Sequence, residues 1–266
     1  MQAASATAQP RFFTSCLPDL PSIQVQDYKY LVQFASTEQQ VEAALKLRFE
    51  VFNLELGEGL ESSFQNGRDR DEFDSTCHHL LVSEKATGSV IGTYRLRTIE
   101  MAGNAEGFYS AAEFDLTKFP QELLEQSVEL GRACISRNHR NRQVLFLLWK
   151  GLASYLTAKR KRFAFGCCSL TTQEVIEGVA AWQYLKNHGY LHNSLCLPVK
   201  PGYECDTGGQ PVDRSITIPR LFATYLSVSA KVVSPPAIDR RFKTIDFLVL
   251  LDIEAMDPRM RSIFFG

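Results

Sequence analysis

The chain has 266 residues, 45% of them hydrophobic, and a formal charge of -1. That is enough for one large domain with its own core, and too near neutrality for a global field that draws a protein onto nucleic acid or an anionic bilayer. Seven cysteines, odd in number and irregularly spaced, read as reduced thiols in a cytoplasmic chain rather than as a disulfide framework; the longest apolar run, Val144 to Trp149, is far too short to span a bilayer.

Residues 1–28, with Pro10, Pro18 and Pro21, are expected to form a flexible arm; 29–255 the folded domain; and 256–266 a tail. Tyr30 to Ala35 alternates as an opening strand does, and Ser36 with Gln39 has the form of a capping box ahead of a helix running to about Phe52. Within it Val41, Leu45, Arg48 and Phe52 fall on one stripe, so a guanidinium faces inward and needs an anion. A polar stretch from Gly57 to Arg70 leads to Asp71 and Asp74. Two strands follow, His79–Glu84 and Ser89–Arg97, joined at Thr87-Gly88 by a turn that suits a hairpin.

Residues 99–126 show no clean period. A strand is expected over Val128–Ile135, a helix covered on both flanks over Val144–Leu156, a buried strand over Phe163–Leu170, and a helix over Glu174–Asn187 stopped by Gly189. Pro198 to Asp213 reads as a mobile surface loop, Pro219 as the first residue of another helix, and Ile245–Ile253 as the last strand. This alternation with a central hairpin predicts an α/β fold on a mixed sheet.

Six charged residues fall where the pattern calls for burial: Arg48, Asp71, Asp74, Arg95, Glu129 and Arg132. Isolated buried charges cost several kcal/mol each, whereas a mutually compensating cluster is tolerated, so the pattern is consistent with one polar site. The bland alternative is that Arg48 snorkels, the two aspartates are solvated loop acids, and Glu129 with Arg132 is an ordinary strand pair. A regular strand aims Glu129 and Arg132 at opposite faces, and a bulge at Gly131 would turn both toward one cavity.

The ordered set Leu47-Arg48-Phe49-Glu50-Val51-Phe52, Asp71-Glu72-Phe73-Asp74, Cys77-His78-His79-Leu80-Leu81-Val82, Gly92-Thr93-Tyr94-Arg95-Leu96 and Glu129-Leu130-Gly131-Arg132-Ala133-Cys134 resembles the ornithine N-acyltransferases of ornithine-lipid synthesis, a family that also carries a hemolysin-like label. More distantly it is similar to acyl-homoserine lactone synthases and long-chain N-acyl amino acid synthases. The resemblance extends through Phe165-Gly166-Cys167-Cys168-Ser169 and Pro235-Pro236-Ala237-Ile238-Asp239. It implies a GNAT (acyl-CoA N-acyltransferase) fold whose sheet splays between the fourth and fifth strands, with the acyl pantetheine arm in that wedge. It also implies that the six charged residues form the active-site network.

Under this resemblance Glu129 is the expected general base, acting directly or through a water. Arg95 or Arg132 grips the acceptor carboxylate, Asp71 or Asp74 receives a cationic side chain, Arg48 belongs to the same substrate site, and backbone amides of Ala133, Cys134 and Ile135 hold the oxyanion. The acceptor expected first is ornithine; glycine, another amino acid or adenosylmethionine are alternatives, as is a noncatalytic lipid-binding or hemolysin-like role.

Acetyl-CoA-dependent GNATs carry a glycine-rich pyrophosphate turn, whereas the equivalent stretch here, Arg137 to Gln143, has no glycine, which makes close backbone approach to a pyrophosphate harder. An acidic acyl carrier protein is therefore the expected donor, with acyl-CoA the alternative. It would be met by Arg137, His139, Arg140 and Arg142 together with Lys159, Arg160, Lys161 and Arg162, although solvated helix-end charge explains the second run equally well. No metal and no permanently bound cofactor is expected, since Cys77-His78-His79 and Cys167-Cys168 lack the pair-and-gap spacing of a metal site. Peripheral contact with the inner membrane face, through the arm or through Ile263-Phe264-Phe265, is a further expectation.

Overall fold

The structure is a computed structural model that describes residues 19–208 and 214–266. Most of the expected arm (1–18) and the tip of the expected loop (209–213) lie outside the described residues. The strands are β1 (Gln24–Gln26), β2 (Tyr30–Phe34), β3 (His78–Glu84), β4 (Val90–Thr98), β5 (Ser127–Ile135), β6 (Phe163–Leu170), β7 (Lys231–Val232), β8 (Ala237–Asp239) and β9 (Thr244–Asp252). The helices are α1 (Glu38–Phe49), α2 (Ile99–Ala102), α3 (Gln121–Glu125), α4 (Arg142–Ala158), α5 (Val175–Asn187), α6 (Arg220–Ser227) and α7 (Pro258–Phe265).

All nine strands join one mixed sheet in the order β1-β2-β3-β4-β5-β6-β9-β7, with β8 also on β9. The pairing is antiparallel except between β5 and β6. Two expectations shift here. Gln24–Gln26 pairs with β2, so that end of the expected arm is sheet. The capping box forms one residue later than expected, with Thr37 accepting from Gln40 N and the Gln40 side chain returning to the cap backbone.

The core explains the layering. Helix α4 lays Val144, Leu148, Leu152 and Tyr155 against Tyr30, Val32, Leu80 and Leu96 of β2 to β4, while Val41, Ala44 and Leu45 of α1 pack with Leu81 in a separate cluster. Strand neighbours point to opposite faces, so Leu80 and Leu81 serve the two sides. The C-terminal tail is not free. It forms α7, capped by Asp257, and Phe264 packs 5.5 Å from the rings of Phe146 and Trp149, although Ile263 stays exposed.

The site depends on how β5 and β6 part. They pair only at Ser127–Phe163, Val128–Ala164 and Glu129–Phe165, after which no register continues; counted from the expected opening strand Tyr30, these are the fourth and fifth strands. At the point of parting, a Cβ on Gly166 would sit 2.1 Å from the Leu130 carbonyl oxygen, so only glycine allows this approach, whereas a Cβ on Gly131 would meet nothing within 4 Å. Gly166→Ala is expected to cost about 3 kcal/mol or more, because the obstruction is backbone, while Gly131→Ala should be near neutral. Thermal melts check this pair, and equal effects would contradict the wedge geometry.

Candidate active site

The helical stripe carries Arg48 fully inside, where Nε lies 2.7 Å from Asp69 Oδ2 and Nη1 lies 2.7 Å from Asp74 Oδ1. The following loop is shaped by its own acids: Asp71 N donates to Asp74 Oδ2 and Phe73 N to Asp71 Oδ1. From β4, Arg95 Nη1 reaches Asp71 Oδ1 at 2.5 Å and Asp74 Oδ1 at 2.9 Å. From β5, Arg132 reaches Asp71 Oδ2 at 3.0 Å and Asp69 Oδ2 at 3.2 Å. Three guanidinia thus balance three carboxylates inside the protein. Burial by itself raises the Asp71 and Asp74 carboxyls, yet the guanidinia of Arg95, Arg132 and Arg48 beside Asp71, and of Arg48 and Arg95 beside Asp74, hold both below the usual carboxylate range.

The expected bulge exists, but the strained residue is Arg132, not Gly131. The β4–β5 register passes from Arg95↔Gly131 to Thr93↔Cys134, so one β4 residue faces two on β5, and Arg132 takes the left-handed φ of 49°. As a result Glu129 and Arg132 line one cavity of about 290 Å³, together with Arg95, Tyr109, Cys167 and Asp246. Arg48, Asp71 and Asp74, expected to bind substrate, are not in its lining. Each is spent on the ion pairs behind Arg95 and Arg132, so they set the position of the two arginines that do reach the cavity.

A second cavity of about 410 Å³ carries Val51, Cys134, Ile135, Leu145, Leu148, Arg140 and Arg142. Phe52, Leu56, Tyr94, Ala133 and Leu221 belong to both walls. Phe52 and Leu56 reach the junction because α1 runs on into a wider π turn, in which Leu56 N donates to Val51 O. Of the three residues expected to offer oxyanion amides, Ser136 N donating to Ile91 O fixes the alternation of the ladder. Cys134 N therefore faces β4 and Ile135 turns its own toward the gap, where β6 has already left, while Ala133 belongs to the bulge, where that alternation breaks.

The model of an acetyltransferase (GNAT) domain matches residues 47–150. Curated relatives are the L-ornithine N(alpha)-acyltransferase of Brucella abortus, 30% identical and covering 88% of this chain and 88% of the relative, and that of Rhodobacter capsulatus, 29% identical over 88% and 94%. The chain belongs to the L-ornithine N(alpha)-acyltransferase family. It is an N-acyltransferase with a GNAT fold. Among solved structures it is similar to the acyl-homoserine lactone synthase LasI (TM-score 0.46, 13% identity, 89% of this chain and 95% of that one). It is likewise similar to FeeM, an N-acyl amino acid synthase from uncultured soil microbes (TM-score 0.49, 7% identity, 85% and 92%).

In this acyltransferase Glu129 is not a free carboxylate. Its Oε2 accepts from Tyr109 N, and its Oε1 from both N and Oγ of Ser110, at 2.7 to 2.9 Å. A carboxylate has about four acceptor sites, so three donors leave room for one more proton. The two basic runs do not form one patch. Arg137 to Arg142 sits at the start of α4 and Lys159 to Arg162 at its end, roughly 25 Å away for 17 residues. The far run is also engaged: Lys161 is buried on Glu100, Arg162 pairs with Asp252 and Glu254, and Lys159 donates to Asp19 O. In the near run Arg140 holds Glu55, and His139 contacts the Tyr30 hydroxyl.

Several residues escape sequence reasoning. Asp69 is one acid among several in a polar stretch, and nothing local marks it as buried. Arg97 lines the cavity and donates to the carbonyls of Gly107, Met101 and Thr76. Asp246 did carry a signal, as a carboxylate inside the apolar run of β9, whereas Glu113 lies in the segment without period. Glu113, Cys167 and Asp246 bring one ligand atom each within 4.8 Å of one another, a grouping able to meet a cation. In the Cys77-His78-His79 group burial pushes the His79 imidazole down to about 4 and the Cys77 thiol up, and His78 Nδ1 bonds the Tyr155 hydroxyl. No helix among the described residues is long and apolar enough to cross a membrane.

Proposed function

We propose that this enzyme moves a long fatty acyl chain, 3-hydroxylated or not, from an acyl carrier protein thioester to the α-amine of ornithine. The observation that carries the reading is the meeting of two unlike cavities at Ala133, beyond the point at Glu129 where β5 leaves β6. One is lined with charge and sized for a small amino acid; the other is apolar, with Arg140 and Arg142 in its wall. The named relatives support ornithine as the acceptor. A donor held through protein contacts is supported by the glycine-free turn, where the Asn141 side chain already takes the Val144 N–H, leaving one fewer amide for a pyrophosphate.

In this reading Arg95 and Arg132 receive the acceptor α-carboxylate, and Glu129 takes a proton from the α-ammonium, directly or through a water. The freed nitrogen lone pair attacks the thioester carbonyl carbon. The C–N bond forms, the oxyanion is held by the N–H groups of Ala133 and Ile135, and as the C–S bond breaks the second proton on nitrogen passes to the departing pantetheine thiolate, while Glu129 returns its proton to solvent. The acyl thioester is a co-substrate, and no resident cofactor enters the sequence of steps.

Purified protein incubated with long-chain acyl carrier protein or acyl-CoA and a panel of ornithine, lysine, glycine and adenosylmethionine, read by mass spectrometry, tests the reading. The expected product is N-acylornithine, formed faster from the carrier protein. Preferred acylation of glycine or adenosylmethionine overturns the acceptor assignment, equal or faster use of acyl-CoA overturns the donor, and no product with any amine overturns both.

A further inference from the structure

The acidic corner of the acceptor cavity has no place in the scheme above. Glu113 and Asp246 are 1% and 3% exposed, and among the described residues neither forms an ion pair. Glu113 Oε2 and Asp246 Oδ1 are buried without a hydrogen-bond partner. Burying two carboxylates without a cation is expensive, even with the Ser169 and Thr244 hydroxyls beside Asp246, and unsatisfied buried acceptors are rare enough to need a cause. The neighbouring acids do not share this state: Asp239 Oδ1 accepts from Arg241 N and Phe242 N, and Glu58 accepts from Thr171. The arginine network closes no ion pair with the corner: Arg48, Arg95 and Arg132 pair with Asp69, Asp71 and Asp74, and Arg132 lowers the Glu113 carboxyl by less than burial and the neighbouring acids raise it.

We propose that Glu113, Asp246 and Cys167 form the seat for a second ammonium of the acceptor, the one at the end of its side chain. The inference rests on the diamino-acid reading above and replaces Asp71 and Asp74 in the role of holding the side-chain cation. Asp246 and Cys167 stand in the far wall of the acceptor cavity, and Glu113 sits behind them, outside the lining but with a carboxylate oxygen within 4.8 Å of their ligand atoms. Asp246 stands opposite Ser169 on the splayed end of β6, two residues beyond Cys167, and Cys167, Ser169 and Asp246 all line the cavity. Glu113 ends the turn whose first amides, Tyr109 and Ser110, are pinned by Glu129. One short turn therefore connects the carboxylate proposed to work at the α-amine with the carboxylate proposed to hold the distal one.

The chemistry fits an ammonium better than a metal ion. A primary ammonium has three N–H donors and no acceptor, and the corner offers two carboxylates and a sulfur. A zinc ion here would find no imidazole and would have to take Cys167 as thiolate, yet burial first, and the neighbouring acids after it, push that thiol well above its ordinary range. A calcium site needs six or more oxygen ligands. Burial, with Asp239 and Glu58 behind it, raises the Asp246 carboxyl to about 6 against the lowering Ser169 and Thr244 hydroxyls, and burial with Asp246 and Asp239 raises the Glu113 carboxyl well above its ordinary range, so that ionising the pair is costly until a cation arrives.

The test compares kcat/KM for ornithine and for norvaline, which lacks only the distal amine, in the wild type, Asp246→Asn and Glu113→Gln. The wild type should favour ornithine by at least about a hundredfold, as expected for a buried charge pair. Each neutral variant should lower the ornithine value on the order of a hundredfold, mostly through KM, with a far smaller change for norvaline. Both changes keep side-chain volume and remove buried charge, and if one variant fails to fold on a circular dichroism melt the other decides alone. Ornithine preference surviving in the variants overturns the seat, as does equal loss on both substrates, or loss of preference in Asp71→Asn alone. Stoichiometric metal in the purified wild type, with ornithine preference lost on chelation, also overturns it. A wild type that acylates norvaline as well as ornithine overturns the diamino-acid reading itself, a result distinct from all the others.

Discussion

Arg48→Leu is expected to lower stability by about 3–5 kcal/mol, far more than the loss of an ordinary helix contact. The side chain is fully buried, and its removal leaves Asp69 and Asp74 facing each other with one guanidinium fewer. Three positive charges against three negative become two against three, in a place where water cannot screen the excess. The pH dependence carries a definite sign. Asp71 and Asp74 have folded values below the unfolded carboxylate value of about 3.9. Their stabilisation is therefore present above that value and is lost as pH falls through the folded values. In Arg48→Leu, Asp74, short of its principal partner, protonates more readily, so the stability gap to wild type should narrow as pH falls from 7 toward 4. Urea titrations at several pH values measure this, and a gap that stays constant would mean that the network carries no electrostatic stabilisation through Arg48.

The legibility of the fold follows from the same physics. Strands β3, β4, β5, β6 and β9 and helices α1, α4 and α5 were readable to within a few residues because each buries a face and so shows a period. Short β1, β7 and β8 bury too few residues to show one, and the turns between Ala105 and Lys118 are held by tertiary hydrogen bonds, Glu129 to Tyr109 and Ser110 among them, that no local pattern announces. Charge at a buried position proved the informative signal for the site. Arg48, Arg95 and Arg132 declared themselves by lying on apolar stripes, and the need for anions pointed to Asp71 and Asp74. What the pattern could not tell was the layering: which charges face the cavity and which support those that do. Asp69 and Glu113 sit where no period exists to make a charge look out of place.

Glu129→Gln is expected to reduce kcat by about two to four orders of magnitude if the proposed proton transfer is carried by this carboxylate, and its hydrogen bonds make the substitution less innocent than it looks. Three donors are split over the two oxygens, and an amide has only one oxygen to offer, so its NH2 must confront either the Tyr109 amide or the Ser110 pair. Activity is therefore at risk from a displaced turn as well as from a missing base. Ser110→Ala separates the two causes. It removes one donor from Oε1 and leaves the carboxylate in place, a loss of about 1 kcal/mol, so turnover should stay within about tenfold of wild type. The pH profile adds a second readout: the acid limb of kcat/KM should persist in Ser110→Ala and flatten in Glu129→Gln. Equal damage in both variants, with both acid limbs intact, would make Glu129 a clamp for the turn and move proton transfer to another carboxylate of the cavity. Asp246, which also lines the wall and has a value raised to about 6, would then be the group to mutate next.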